Sequence, residues 1–439
     1  MQQKKKLALA VLIQSALVST AFASEQSESK GFVEDAEGSV LFRTGYLTRD
    51  KKNGVADTSS FAQTAIVKLD SGFTQGTVGF GVGIIGDASF KLGENGHTGN
   101  DMLPTHPQDN PDGTKDAYDH WARGGAYLKA RVSNTTATYG TQVLDLPVLA
   151  SNTARLVPEY YTGVLVESNE IENLSLTAGK FTENQLSDQI NSDGAELDRA
   201  VVWGAKYQFN DNLNASYYGT DIKDRLDRHY INTNYSYALA NNSTLTHDFS
   251  GYYTKWDKEA NQYLYSQIGS PDDSFDNTIL ALSTTYNRGP HNVMVAYQQN
   301  FGNTGYDYGL GTGVGDGKQS IYLPNSYLSD FIGNDEKSVQ LQYTFDFGAV
   351  NVPGLSWTSA FVYGWDIKAS NNAGTMISDN EHEREFFNQV KYTVQSGFAK
   401  DTSLRLRHSY YRASDAYETT YIGDTNEWRI WLDIPVKLF

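Results

Sequence analysis

Arg405 and Arg407 stand two residues apart in the segment DTSLRLRHSYYR, 401–412, where Leu404 and Leu406 alternate with them. Successive side chains of an extended chain point to opposite faces, so the two guanidinium groups share one face and lie about 7 Å apart. Lys391 sits in 384–396, whose other face carries Phe386, Val390, Tyr392 and Val394. Arg429 belongs to the last segment, and Arg43 shares a face with Ser39 and Gly45, opposite Val40 and Phe42, in 38–48. In 121–132, Arg123, Tyr127, Lys129 and Arg131 oppose Ala122, Gly124, Ala126, Leu128, Ala130 and Val132. Arginine offers a planar fork that matches a carboxylate. A row of cations raises the energy of each member, and a passing anion lowers it. Rows of Arg and Lys are how pores attract anions, and several weak sites let a solute step along and still leave. The competing reading is that these cations form salt bridges that only fill space. With 52 Asp and Glu against 35 Lys and Arg, partners for such bridges are plentiful.

The elements that must position this row are short strands. In the final segment Trp428, Ile430, Leu432, Ile434, Val436 and Leu438 alternate with Glu427, Arg429, Trp431, Asp433, Pro435 and Lys437, and Phe439 follows. That is period two with one apolar face, and a terminal aromatic suits recognition by outer-membrane insertion machinery. About eighteen strands of this kind can be counted, within the even-numbered range of outer-membrane barrels. Tight turn chemistry at Asp70-Ser71-Gly72, Asn134-Thr135, Asn210-Asp211-Asn212, Asn241-Asn242 and Arg288-Gly289-Pro290 alternates with long connections. The long ones fall near 49–59, 91–120, 143–159, 181–197, 255–275, 300–334, 366–383 and 413–424, with Ile222–Leu226 unusually short. Short turns on one rim and long loops on the other predict an all-β, antiparallel transmembrane barrel. An arginine facing lipid at mid-bilayer costs about 2–4 kcal/mol, so the strand cations are expected to face the lumen. Closing the barrel puts the last strand beside the first and gathers the cations on one wall, strands about 4.8 Å apart. His408 falls on the lipid-facing side in this reading, a mild conflict that does not make it a ligand.

The N-terminus and the composition agree. Lys4, Lys5 and Lys6 precede an apolar stretch from Leu7 to Val18, and Ala21-Phe22-Ala23 supplies the small residues of a cleavage site. Residues 1–23 are therefore expected to be a cleaved secretory signal, too short to span a membrane. Their loss takes the net charge from −17 to −20, which argues against nucleic acid as a partner. There is no cysteine, so a closed sheet or large core must do what disulfides would. No run of 18 apolar residues offers a helical span. A mean hydropathy of −0.49 fits a barrel in which alternate residues face water. The 29 tyrosines suit interfacial girdles. The expected organisation is a short segment, 24–37, and a single barrel domain, 38–439.

Several long motifs resemble the OprD-type substrate-specific porins. They are KLDSGFTQGTVGFGVG at 68–83, NTARLVPEYYTG at 152–163, NSYLSDF at 325–331, VPGLSWTSAFVYG at 352–364, the run 384–412, and NEWRIWLDIPVKLF at 426–439. The resemblance spans about Gly31 to Phe439. It implies an eighteen-stranded barrel with a narrow pore, whose third loop folds inward and builds the constriction with the seventh. Those loops correspond to 143–159 and 300–334. The family's basic ladder maps onto Lys391, Arg405 and Arg407, and by position onto Arg43, Arg131 and Arg429, with Lys129 beside them. Arg155 is the candidate constriction residue of the third loop, Asp330 would supply an acidic side opposite the ladder, and Tyr306 would help line it. The resemblance implies uptake of amino acids and other small carboxylates, carbapenems in some members, with outer-membrane lipid and lipopolysaccharide around a monomer or weak homotrimer. The loop 91–120, with His97, His106, Pro107 and Pro111, is the most individual part.

Eight histidines allow a catalytic triad on paper, but no short motif places one. A receptor or adhesin on a plugged barrel has no need of a lumenal arginine row. A general diffusion porin is the nearest rival, and saturable carboxylate-dependent flux separates it. No metal or cofactor is expected, because there is no cysteine and no paired histidine on one strand. Gly309 to Gly317 reads as loop, not a phosphate cradle, since no strand-to-helix junction contains it.

Overall fold

Period-two alternation becomes strand after strand in the computed structural model, which describes residues 24–439 apart from 94–98, 108–114, 195, 264–266, 271–272, 311–319 and 372, and apart from the side chains of 261–263. The signal segment, His97, Pro111 and most of the Gly309–Gly317 stretch lie outside the described residues. The strands are β1 (Glu37–Lys51), β2 (Thr58–Asp70), β3 (Val78–Lys91), β4 (His120–Val132), β5 (Thr135–Gln142), β6 (Tyr160–Ile171), β7 (Leu174–Gln185), β8 (Ala200–Asn210), β9 (Leu213–Ile222), β10 (Leu226–Leu239), β11 (Ser243–Trp256), β12 (Asp276–Arg288), β13 (His291–Gly302), β14 (Lys337–Asp346), β15 (Leu355–Ser370), β16 (Met376–Thr393), β17 (Ser403–Ala413) and β18 (Thr425–Lys437). Each pairs antiparallel with the next, and β18 pairs with β1, Arg43 opposite Asp433 and Phe42 opposite Ile434. A closed antiparallel ring leaves no unpaired edge, which is what a sheet in lipid requires.

The outward face is read directly from exposure. Phe42, Phe80, Val82, Leu128, Phe386, Leu404, Trp428, Ile430 and Val436 are all exposed, while their neighbours in sequence turn inward. On the rim where β1 starts, residues 24–36 stitch the turns together. Gln26 donates from Nε2 to the carbonyls of Thr74 and Gly76, at 2.9 and 3.1 Å, and Ser29 Oγ donates to Phe73 O at 2.7 Å.

Four connections differ from expectation. The turns at 172–173, 347–354 and 394–402 were not distinguished in the sequence. The supposed long loop 366–383 is mostly strand, since β15 runs to Ser370 and β16 starts at Met376, leaving 371–375. Its sequence, SDNEHERE at 378–385, is polar on both faces. Its inward residues Glu383 and Glu385 are buried yet polar, so apolar–polar alternation gives no signal there. The seventh long loop spans 303–336 and the third 143–159.

Glycines let β3 and β4 approach. Gly124 has φ +137°, and a Cβ placed on it would lie 2.4 Å from the Cα of Gly86. Backbone cannot yield there as a flexible side chain would. Gly124→Ala is expected to destabilise the barrel by about 1–3 kcal/mol. The readout is the temperature at which the folded band is lost on a detergent gel, and an unchanged temperature would refute the close-approach argument.

Candidate functional site: a cationic wall in the lumen

The lumen is narrowed by loops that bury apolar side chains against parts of the wall. From the third loop, Leu144, Leu146, Val148 and Leu149 pack with Tyr306, Tyr308, Leu310 and Ile332 of the seventh, against Tyr161, Val202, Tyr230, Tyr252 and Ile279 of β6 to β12. A second cluster joins Met102 and Leu103 of the second loop (92–119) and Leu156 and Val157 of the third to Leu47, Ala62, Trp121 and Trp431. Burial of apolar surface fixes these loops, at about 25 cal/mol per Å² removed from water. In the sector between the clusters, chiefly β16 and β17, Lys391 and Arg405 border open space.

Two cavities lie there. One, of about 340 Å³, is lined by Arg43, Lys391, Arg405 and Asp433, with Thr153 and Pro158 of the third loop. The other, of about 160 Å³, is lined by Arg407, Tyr327, Asp330 and Ser326, with Asn152 and Ala154. Neighbouring inward positions of β17 thus put one guanidinium in each cavity. The register sets Lys391 opposite Arg405 and Arg407 opposite Arg429.

The expected cations divide by what they touch. Lys391 is exposed and Arg405 half-buried, and neither has a hydrogen bond or ion pair with a described residue. Arg407 lies 5.1 Å over the ring of Phe387, which stacks at 4.2 Å on Tyr327. Arg43 is held bidentate by Asp433, at 2.7 and 3.0 Å, and donates from Nη1 to Arg155 O at 3.1 Å. Arg429 is fully buried and paired with Glu427, which also accepts from Arg49 at 2.8 Å. Lys129 and Arg131 stand on β4, three strands away from β1. Lys129 pairs with Asp70 at 2.7 Å, and Arg131 reaches Gln26 at 3.1 Å and Glu25 at 3.7 Å. Arg43, Lys129, Arg131 and Arg429 thus each have a carboxylate partner, whereas Lys391 and Arg405 have none among the described residues.

The constriction candidates also differ from expectation. Arg155 is buried, and it donates from Nε to Asn100 O at 3.1 Å and lies 3.9 Å from Asp101. These contacts tie the third loop to the second. Tyr306 is buried under Arg228, whose guanidinium lies 4.3 Å from the ring centre. Burial pushes the Tyr306 hydroxyl up to about 12. Asp330 does reach the smaller cavity, but its carboxylate accepts from the hydroxyls of Tyr308 and Ser326.

Three residues position the loops: Arg123, which the sequence offered as an extension of the cationic row, and Arg228 and Glu385, which it did not single out. Arg123 pairs with Asp87 at 3.0 Å and donates to Leu186 O and Pro158 O, both at 2.6 Å, tying the third and fourth loops to β4. Arg228 donates to Tyr308 O at 3.0 Å and to Asp307 O, and so holds the seventh loop on β10. Glu385 accepts from the backbone N–H groups of Leu328 and Ser329, at 3.1 and 3.0 Å. Arg228 and Glu385, like Arg405, share strand parity with lumenal residues, Tyr230 on β10 and Phe387 on β16. In the seventh loop, burial pushes the Asp307 carboxyl up to about 6, and burial beside Glu383 holds Glu336 well above the usual carboxylate range. Among the described residues no group of three or more His, Asp or Glu is arranged to hold a metal ion.

A model of the outer membrane porins of the OprD family matches residues 30–438. The chain belongs to the OprD family of outer-membrane porins. Porin D of Pseudomonas aeruginosa is 36% identical over 448 residues, covering 96% of this chain and 95% of its own length. The porin-like protein GalP of Pseudomonas putida is 27% identical, over 94% and 95%. The crystal structure of Acinetobacter baumannii OccAB1 is 64% identical with a TM-score of 0.89, covering 95% of this chain and all of that one. That of Pseudomonas aeruginosa OprD is 33% identical with a TM-score of 0.78, over 95% and 100%. This OprD-family porin is therefore an integral outer-membrane channel for substrate-specific uptake of small solutes, and a channel rather than an enzyme.

Proposed function

We propose that this porin passes small carboxylate-bearing solutes, amino acids among them, along the wall formed by Lys391, Arg405 and Arg407. The observation that carries the reading is the pairing of two cations with space instead of with acids. Lys391 and Arg405 face a 340 Å³ cavity without an ion pair to any described residue. Arg405 and Arg407, about 7 Å apart on one face, repel by about 2 kcal/mol at an effective dielectric of 20, so a carboxylate beside them relieves strain already present. Arg407 hands the solute between the two cavities. Arg43 contributes its fork while Asp433 tempers it, which keeps binding weak enough for release. The constriction belongs to the backbone and short side chains of 152–154 and to the seventh loop, with Arg155 as a brace. Carbapenems, which carry a carboxylate, fall within the same chemistry.

Uptake into proteoliposomes tests the reading. Flux of a short carboxylate saturates with concentration and exceeds that of its isosteric amide severalfold. Linear, equal fluxes of both would identify a general diffusion pore instead.

A further inference from the structure

The third loop closes on itself twice. Ser151 N donates to Leu144 O at 2.8 Å and Leu144 N to Ser151 Oγ at 2.9 Å, closing a first lobe whose Leu146, Val148 and Leu149 lie in the apolar cluster on β6 to β12. Glu159 N donates to Asn152 O at 2.9 Å, and Asn152 N donates back to Glu159 Oε2 at 2.9 Å, closing a second lobe. The second lobe faces the cations. Asn152 and Ala154 border the cavity of Arg407, Thr153 and Pro158 border that of Lys391 and Arg405, and Arg155 O accepts from Arg43 at 3.1 Å. The foot of this lobe is pinned to the barrel on both sides of Glu159. Pro158 O accepts from Arg123, and the Tyr160 hydroxyl donates to Asp87 at 2.9 Å. Glu159 itself is fully buried, and its other oxygen, Oε1, accepts from Nδ2 of Asn184 on β7. One carboxyl group thus joins the far end of the lobe to the barrel wall. A buried N–H that loses its acceptor bears the full desolvation cost, so the place of Asn152 follows that of this carboxyl group.

We propose that Glu159 is a positioning residue for uptake: it fixes the distance between the second lobe and the cations of β1, β16 and β17, and so sets both the aperture and the preference for carboxylates. The effect on preference rests on the carboxylate reading above, and the effect on aperture does not. The role is that of an acceptor with two sides, not that of a charge. Glutamine can fill it, because Asn184 Oδ1 accepts no hydrogen bond from a described residue. The Asn184 amide can turn over and accept from the new Nε2, while Oε1 keeps Asn152 N. Methionine has the length of glutamate but no comparable acceptor, and it leaves both buried donors unmet.

Two measurements on folded channels test this: the size cut-off for neutral polyethylene glycols in single-channel recording, and the fluxes of a short carboxylate and its isosteric amide into proteoliposomes. Glu159→Met is expected to raise the cut-off. It also raises the half-saturation concentration for the carboxylate about fivefold without lowering the limiting flux, the pattern of lost binding with passage intact. Glu159→Gln is expected to keep both at wild-type values, which an effect of charge would not allow. Heat-modifiability on a detergent gel verifies folding. Should the methionine variant not fold, Asn184→Leu removes the donor on the wall and is expected to shift both quantities in the same direction. A cut-off unaffected by Glu159→Met or its substitute, a half-saturation unaffected in a channel that does prefer carboxylate, or a Glu159→Gln channel as altered as the methionine one, would overturn the proposal. A wild-type channel that takes carboxylate and amide alike, with the cut-off still raised by Glu159→Met, would sink the carboxylate reading and leave the clamp on the aperture standing.

Discussion

Replacing Arg405 and Arg407 together by alanine lowers carboxylate flux by tenfold or more, and leaves flux of the isosteric amide within about twofold. A guanidinium about 4 Å from a carboxylate gains about 4 kcal/mol at an effective dielectric of 20, before desolvation is subtracted. A net loss of about 1.4 kcal/mol already gives a factor of ten. Stability changes much less. Arg405 has no described partner to strand. Uptake by proteoliposomes, normalised to folded barrel, checks the expectation. Carboxylate flux that stays at the wild-type level in folded protein would remove the wall from the conduction path.

Arg155→Met widens and destabilises the opening without touching the cationic wall. The native side chain holds Asn100 O and Asp101 of the second loop, and it sits beside Leu156 and Val157 in the apolar cluster. Methionine fills part of the volume but leaves a buried carbonyl without its donor, a loss of about 1–3 kcal/mol. The third loop then moves relative to β1 although Arg43 still reaches its backbone at 3.1 Å. Single-channel recording is expected to show larger and noisier currents, with discrimination between carboxylate and amide reduced. A trace indistinguishable from wild type would mean that the latch does not set the pore width.

How much of this could be read from the chain follows from where the information lies. Strand parity is local. Leu404, Arg405, Leu406 and Arg407 declare their faces within four residues, and Trp428 to Leu438 does so over eleven. That periodicity, with the alternation of turn and loop, is enough for a closed eighteen-stranded barrel. It also turns Arg43, Lys391, Arg405, Arg407 and Arg429 to the lumenal face. What each cation meets is not local. Asp70 reaches Lys129 across the β2–β4 sheet, and Glu25 reaches Arg131 from a segment more than a hundred residues earlier. No periodicity encodes those distances. The loops are harder still. Arg155 and Tyr306 sit in segments without regular alternation, and their burial depends on apolar partners in the second loop and on β10. Hydrophobic burial, not backbone pattern, decides which wall a loop covers.

The most direct test of the account locates a solute in the lumen. Crystals of the porin soaked with a bromine-labelled short carboxylate, measured at the bromine edge, are expected to place the carboxylate within hydrogen-bonding distance of Arg405 and Lys391, in the cavity that Asp433 borders. Bromine found only against the β6 to β12 wall, with Lys391 and Arg405 facing nothing but solvent, would contradict it.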